Sequence, residues 1–253
     1  MLSDLTTSIK GSTHAEDLKF RLATVELLRT AKRHYTYREL AAKTDLPVTV
    51  LSRYAKGHVL PNIERARRLW EALSKIVGLE KEFRRRLKPN SEGYFDNTHL
   101  VGDIILLRQA ANYAITKFAG KRITKVLTAA VDGVPLATMV ANALGVNLVV
   151  AKTTKEVGVA SFLEETYVLN DSGYTITLYV PRELIKKRDS VLIVDDIIKS
   201  GDTQNALIKL AHKARAEVAG IFAMVAIGDL WTEKMNIPPN CQVEIILRLP
   251  KQI

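Results

Sequence analysis

Apolar positions return at helical spacing from Leu18 to about Leu87. Leu18, Leu22, Val25 and Leu28 form one stripe, and Leu69, Leu73, Ile76, Leu79 and Phe83 form another with looser phase. β-Branched alternation is scarce over this stretch, so it reads as all helix. The pattern breaks at Lys88-Pro-Asn-Ser-Glu92, a hinge or linker that divides the chain into 1–88 and 94–253. Beyond it the texture changes. Leu100–Phe118 reads as one amphipathic helix. Apolar runs at Lys125–Ala130, Asn147–Ala151, Val191–Val194, Val218–Ile227 and Gln242–Leu247 read as strands, with helices at Leu136–Leu144 and Thr203–Arg215. Apolar strands alternating with helices imply an α/β fold, a doubly wound parallel sheet covered on both faces, whose ligands bind beyond the carboxyl ends of the strands. Thr153–Tyr179 is polar and partly alternating (Tyr174, Ile176, Leu178), which suggests an antiparallel excursion or a mobile hairpin.

Composition narrows the class. The 253 residues are 47% apolar and 25% charged, ordinary for a globular protein. No apolar run approaches the ~18 residues that span a bilayer, and the N-terminus lacks a secretion-signal pattern. Cys241 is the only cysteine, and no Cys/His cluster has zinc spacing. These features point to a cytoplasmic protein with no membrane partner and no resident metal. The net charge of +10 is uneven: residues 1–98 hold 19 Lys+Arg and 12 Asp+Glu, whereas 99–253 hold 18 and 15. A basic N-terminal part suggests a polyanionic partner.

Within the helical part, Tyr37–Gly57 has the layout of two short helices around a turn at Thr44-Asp45-Leu46. Leu40, Ala41 and Leu46 supply an inward face, and Pro47 stands where a second helix can begin. Val50, Leu51 and Tyr54 form that helix's apolar side, and Gly57 can end it in a left-handed conformation. The segment resembles the helix-turn-helix of the Cro and repressor class over residues ~20–80, a likeness that Gly57-His58-Val59-Leu60-Pro61 continues. The resemblance implies that Val48–Lys56 enters a major groove of double-stranded DNA. Val48, Thr49 and Ser52 would then face base edges, while Tyr37, Arg53, Lys56 and His58 would contact phosphate or steady the fit. The alternative is an ordinary helical hairpin with a solvated face.

The most specific motif is Val191-Leu-Ile-Val-Asp195-Asp196-Ile-Ile-Lys199-Ser200-Gly201-Asp202-Thr203. An apolar strand ends in two acids, then a short loop opens a helix. Loop amides and a helix N-terminus make an anion site; Gly201 allows close backbone approach; Ser200 and Thr203 add hydroxyl donors. Asp195 and Asp196 suit the two hydroxyls of a ribose, or water around a magnesium ion. The motif resembles the phosphoribosyl pyrophosphate signature of the type I phosphoribosyltransferases, and the resemblance covers residues ~95–250. It implies that Asp132-Gly133 occupies the place of the pyrophosphate loop and that Lys152 matches the first of two basic residues often found after the next strand. Thr153 replaces the second, and Lys155 is the nearby substitute. Between Glu156 and Tyr179, the place of a loop that closes over substrate, there is no Lys, Arg or His to assist a leaving pyrophosphate. Asp202 stands where transferases often have Gly or Thr, with Lys199 to offset its charge. Trp231 could stack on a base or belong to the core.

The C-terminal half resembles the Gram-positive purine repressor, a phosphoribosyltransferase-like protein without activity. That protein's N-terminal domain is a winged helix, so archaeal regulators joining a helix-turn-helix to this domain are the closer whole-chain analogue. Together these features predict a homodimeric, DNA-binding transcription regulator. It would sense phosphoribosyl pyrophosphate or a related nucleotide in purine or pyrimidine metabolism, with magnesium accompanying the ligand. An active phosphoribosyltransferase is the alternative, against which the bare loop and Thr153 argue. An RNA-binding regulator fits the groove-reading geometry less well.

Overall fold

The computed structural model describes residues 14–87, 95–169 and 173–250. The chain forms two compact units, Met1–Glu82 and Phe83–Ile253. The expected linker, Lys88–Glu92, lies outside the described residues.

The N-terminal unit is helical: α1 (His14–Lys32), α2 (Tyr37–Thr44), α3 (Val48–Ala55), α4 (Ile63–Ile76) and the start of α5 (Leu79–Arg86). Two of these helices are capped by their own sequence. Thr36 and Glu39 form a reciprocal capping box at α2, with Glu39 accepting from the Thr36 backbone N–H at 2.6 Å. Asn62 caps α4 by accepting from the Arg65 N–H at 2.9 Å. Val25, Leu28, Leu40, Leu51, Tyr54, Leu69 and Leu73 are buried in one core. The first stripe is only half used: Leu18 and Leu22 are 39% and 47% exposed, because burial on α1 begins at Thr24 and Val25.

The C-terminal unit holds a five-stranded sheet of order β2-β1-β5-β6-β7, parallel throughout. Its strands are β1 (Lys125–Ala129), β2 (Asn147–Ala151), β5 (Ser190–Ile198), β6 (Glu217–Ile227) and β7 (Gln242–Leu249). The remaining elements are α6 (Thr98–Val101), α7 (Ile104–Lys117), α8 (Gly133–Leu144), α9 (Asp202–Lys213) and α10 (Leu230–Lys234), with a β3 (Phe162–Val168) and β4 (Thr175–Pro181) pair and a short 3-10 turn at Arg182–Leu184. The chain leaves β1 for one neighbour, β2, and returns on the other side at β5. That reversal opens a crevice past the carboxyl ends of β1 and β5.

Several boundaries differ from expectation. The expected Leu100–Phe118 helix is two, because the Asp103 carboxylate accepts from the N–H groups of Ile105 and Leu106 at 3.1 and 3.2 Å and starts α7 afresh. Helix α8 begins at Gly133, three residues early; Pro135 lies in its first turn, where no intrahelical N–H is required. Strand β5 continues to Ile198 beside β6, pairing Ile198 with Ala226, so both acids of the motif lie within the strand. Helix α9 stops at Lys213, and Arg215 follows in a left-handed conformation, φ 58.

The Thr153–Tyr179 excursion contains the antiparallel pair β3–β4, registered from Phe162↔Pro181 to Val168↔Thr175. This hairpin is packed rather than loose. Leu163, Leu178 and Val180 are buried in the main core. Glu165 also pairs with Lys209 and Lys213 of α9 at 3.0 and 2.7 Å.

Candidate phosphoribosyl site and DNA-reading helix

The acid pair is the centre of the site. Asp195 and Asp196 are each only 7% exposed. Asp195 accepts from Gln204 Nε2 at 2.5 Å and from the Asp196 backbone N–H at 3.0 Å, while Asn97 Nδ2 donates to Asp196 Oδ2. Burial, reinforced by the adjoining Asp196 charge, pushes the Asp195 carboxyl well above its ordinary range. A ligand that donates hydroxyls to these oxygens, or brings a cation, would relieve that penalty.

Gly133 joins the loop after β1 to the acids. A Cβ there would stand 2.5 Å from Thr128 Oγ1 and 2.7 Å from Asp195 Oδ1. No side chain larger than hydrogen fits without movement. Asp132, one residue earlier, is exposed, and the Ala130–Val131 peptide is cis. Lys152 follows β2 beside this loop, since the Ala130 N–H donates to Ala151 O at 2.9 Å. Its ammonium pairs with Glu156, and its backbone is bridged to Tyr179. Lys155 is turned away to Glu164, 3.1 Å distant, and to the ring of Tyr179.

The loop expected to hold a phosphate is Lys199-Ser200-Gly201, between β5 and α9. Gly201 adopts φ 84, and a Cβ there would meet Met235 Cγ at 2.4 Å, so conformation and packing both require glycine. Ser200 Oγ donates to Asp202 Oδ2 at 2.6 Å, which shows how the unexpected Asp202 is accommodated at the first position of α9. Lys199 is exposed, and among the described residues no carboxylate pairs with it. Thr203 Oγ1 lies 3.2 Å from the hydroxyl of Tyr167 on the hairpin. Trp231 is a core residue: it is 3% exposed, donates from Nε1 to Gly228 O at 3.0 Å, and is not available to stack on a base.

The sequence motif did not reveal Asn97, Gln204, Thr128 or Tyr167. Gln204 carried a faint signal, a polar residue on the otherwise apolar inward face of its helix. Asn97 carried none, because its contact with Asp196 spans 99 positions.

In the N-terminal unit, α3 begins after Pro47, and Gly57 follows it at φ 78. Lys56 caps this helix rather than belonging to it. Asp45 closes α2 in a left-handed conformation, φ 54, which sets the turn. Leu51 and Tyr54 are buried; Val48, Thr49, Arg53, Lys56 and His58 are exposed, and Ser52 is partly so. Tyr37 is half-buried against the core, with Lys32 Nζ 5.0 Å from its ring centre. Arg29 Nε donates to Ala55 O at 2.8 Å and ties the end of α3 to α1.

Known proteins share both parts. Residues 25–75 match the helix-turn-helix family profile. The purine biosynthesis transcriptional repressor PurR of Bacillus subtilis is 32% identical over 133 residues, 53% of this chain and 47% of PurR. The chain thus spans about half the length of such regulators. The adenine phosphoribosyltransferase of Maricaulis maris is 33% identical over 152 residues, 58% of this chain and 85% of that enzyme. The crystal structure of adenine phosphoribosyltransferase from Rhodothermus marinus superposes with a TM-score of 0.59 at 26% identity, covering 68% of this chain and 98% of that one. The phosphoribosyl transferase domain profile matches residues 103–247, more than half of the sequence and the whole of the sheet up to β7, so the chain belongs to the phosphoribosyl transferase domain family.

Proposed function

We propose that this chain is a transcription regulator. Its C-terminal domain binds phosphoribosyl pyrophosphate, or a nucleotide with the same 5′-phosphoribosyl group, and ligand occupancy changes how its helix-turn-helix units engage operator DNA in purine or pyrimidine metabolism. One observation carries this reading. The Lys199–Gly201 loop, the start of α9 and the buried acid pair are adjacent, on the same chain as a helix whose Val48 and Thr49 are exposed. In this reading the loop amides and Thr203 hold the 5′-phosphate, Asp195 and Asp196 accept from the ribose hydroxyls, and the Asp132-Gly133 loop faces the pyrophosphate. Coupling requires that the ligand bind two arrangements of a homodimer with different affinity, since repressor-type heads read half-sites about one helical turn apart.

Magnesium fits only as part of the ligand. Among the described residues no three carboxylate, histidine or cysteine side chains converge. Asp195 and Asp196 already accept hydrogen bonds from Gln204 and Asn97. A hard cation here would complete its oxygen shell with phosphate oxygens and water.

A non-enzymatic role is supported by the surroundings of the loop. The Lys152 charge is spent on Glu156, and the segment from Glu156 to Tyr179 has no cationic side chain. The likeness to the Maricaulis maris enzyme keeps a transferase as the second reading. Incubation with labelled phosphoribosyl pyrophosphate, magnesium and each common base separates the two; nucleotide formation at an enzymatic rate would overturn the sensor reading. Footprinting on genomic DNA with and without phosphoribosyl pyrophosphate tests it directly. The expected result is a footprint that ligand strengthens or releases, and an Asp195→Ala/Asp196→Ala variant that still footprints but no longer responds. A footprint indifferent to ligand would refute the coupling.

A further inference from the structure

The edge of the sheet opposite the candidate site carries a concentration of positive charge that the phosphoribosyl chemistry does not use. Three loops feed the adjacent strands β1, β5 and β6 at their amino ends. Beyond the short 3-10 turn at Arg182–Leu184, they hold between them Lys121, Arg122, Lys186, Lys187, Arg188 and Arg215, and one acid, Asp189. The Asp189 carboxylate is used internally, accepting from Thr124 Oγ1 and from the Lys186 N–H at 2.8 Å each. With residues 99–253 holding 18 Lys+Arg and 15 Asp+Glu, the rest of that segment is slightly acidic. The charge is therefore local to this edge and not a general property of the domain.

The loops are tied together. The Thr124 N–H donates to Ser190 O at 2.8 Å and the Glu217 N–H to Asp189 O at 3.0 Å. Arg122 Nη1 donates to Arg188 O at 3.0 Å, and Lys121 Nζ donates to the carbonyls of Ala219 and Asn240 at 3.3 and 2.9 Å. Arg122, Lys187, Arg188 and Arg215 surround one open depression of about 520 Å³, with Asp189 and Glu217 also on its wall. Among the described residues none of these four cations forms an ion pair. Arg215 adds an independent sign. It occupies a left-handed position, φ 58, where glycine or asparagine would sit with less strain. Its charge complements the carboxyl end of α9, but that accounts for one cation of six.

From this we infer that the amino-terminal edge of the sheet is a second nucleic-acid contact, binding the phosphate backbone of duplex DNA without reading sequence. Adjacent strands lie ~4.8 Å apart, so cations at β1, β5 and β6 span about 10 Å, enough to meet successive phosphates of one strand. Arginine forks suit phosphate oxygens. Duplex DNA is favoured over an acidic protein because, under the function proposed above, the helix-turn-helix already holds DNA on this chain, and a second contact gains from that local concentration.

The test uses the full chain and a mixed-sequence duplex of about 40 base pairs. Affinity is measured by fluorescence anisotropy across a salt series. The variant Lys187→Gln/Arg188→Gln/Arg215→Asn keeps Arg122 and its bond to the Arg188 carbonyl, and asparagine accepts the left-handed backbone. The expected result is a log–log salt slope shallower by about 2 to 3 units, near 0.9 for each phosphate no longer neutralised, with an unchanged melting temperature. A slope equal to wild type overturns the inference, even if the variant binds inorganic pyrophosphate more weakly at this edge. Should the triple variant melt early, Lys187→Gln/Arg188→Gln alone, with an expected change of about 2 units, decides the matter. Arg53→Ala/Lys56→Ala, run beside it, separates the two readings. A change there with none in the triple variant refutes this edge alone; the reverse supports the edge and refutes the helix-turn-helix assignment.

Discussion

Gly133→Ala adds one methyl group at the point where the loop after β1 meets the acid pair. The new carbon would lie 2.5 Å from Thr128 Oγ1 and 2.7 Å from Asp195 Oδ1. Ordinary carbon–oxygen contacts begin near 3.3 Å, so both oxygens must retreat by roughly 0.6 to 0.8 Å. Neither can do so freely: Thr128 is fully buried, and Asp195 is held by Gln204 and by the Asp196 N–H. Overpacking of this kind costs about 1–3 kcal/mol. Alanine's helix propensity returns up to ~1 kcal/mol, less at a first turn, which leaves a net loss of about 1–2 kcal/mol. A domain of this size should then melt roughly 2–8 °C lower. Because Asp195 moves, affinity for phosphoribosyl pyrophosphate by calorimetry should fall at least about tenfold, or ~1.4 kcal/mol. The double variant Thr128→Ala/Gly133→Ala removes the closer clash and keeps the one on Asp195. It should recover part of the melting temperature and little of the affinity. A single variant that retains both wild-type melting and wild-type affinity would refute the packing argument. Full recovery of affinity in the double variant would show that Thr128, not Asp195, transmits the damage.

Asp195→Asn probes the buried charge. The unfolded chain releases this proton near 3.8 while the folded carboxyl holds it to higher pH. Stability is therefore lost as pH rises from the unfolded towards the folded value. Asparagine removes that loss, so its melting temperature should exceed wild type by a margin that widens with pH across that window, while ligand affinity drops; a pH-independent difference would contradict the charge account. Leu51→Ala, at a fully buried position in the helix-turn-helix core, should cost about 2–5 kcal/mol. DNA binding should be lost while ligand binding persists, and chemical denaturation followed at both activities would expose any coupling. Glu165→Ala removes the partner of Lys209 and Lys213 on the hairpin. It should raise amide exchange across Phe162–Val168 with little change in global stability, as befits largely exposed lysines; unchanged exchange would show that Leu163, Leu178 and Val180 suffice to hold the hairpin.

Local pattern was enough to identify most elements. The period of 2 at Ile176 and Leu178 marked the antiparallel strand, which begins just after the exposed Tyr174, and the apolar runs marked the parallel ones. Thr44 to Gly57 fixed a short turn and its helix because Pro47 and Gly57 act on their own backbone, whatever surrounds them. The motif at Asp195–Thr203 was legible for the same reason, since strand, glycine turn and helix start are consecutive in the chain. Tertiary structure decided the rest. Asp195 and Asp196 lie inside β5 because β6 pairs alongside them to Ala226, which no local propensity dictates. Gly133 matters because a residue 62 positions later presses on it, and Asn97 because Asp196 reaches it across 99 positions. Trp231 became core, not a base platform, because it is buried in the main core cluster together with Met235. Contacts made at such separations depend on which strands become neighbours, and that follows from burying both faces of a single sheet.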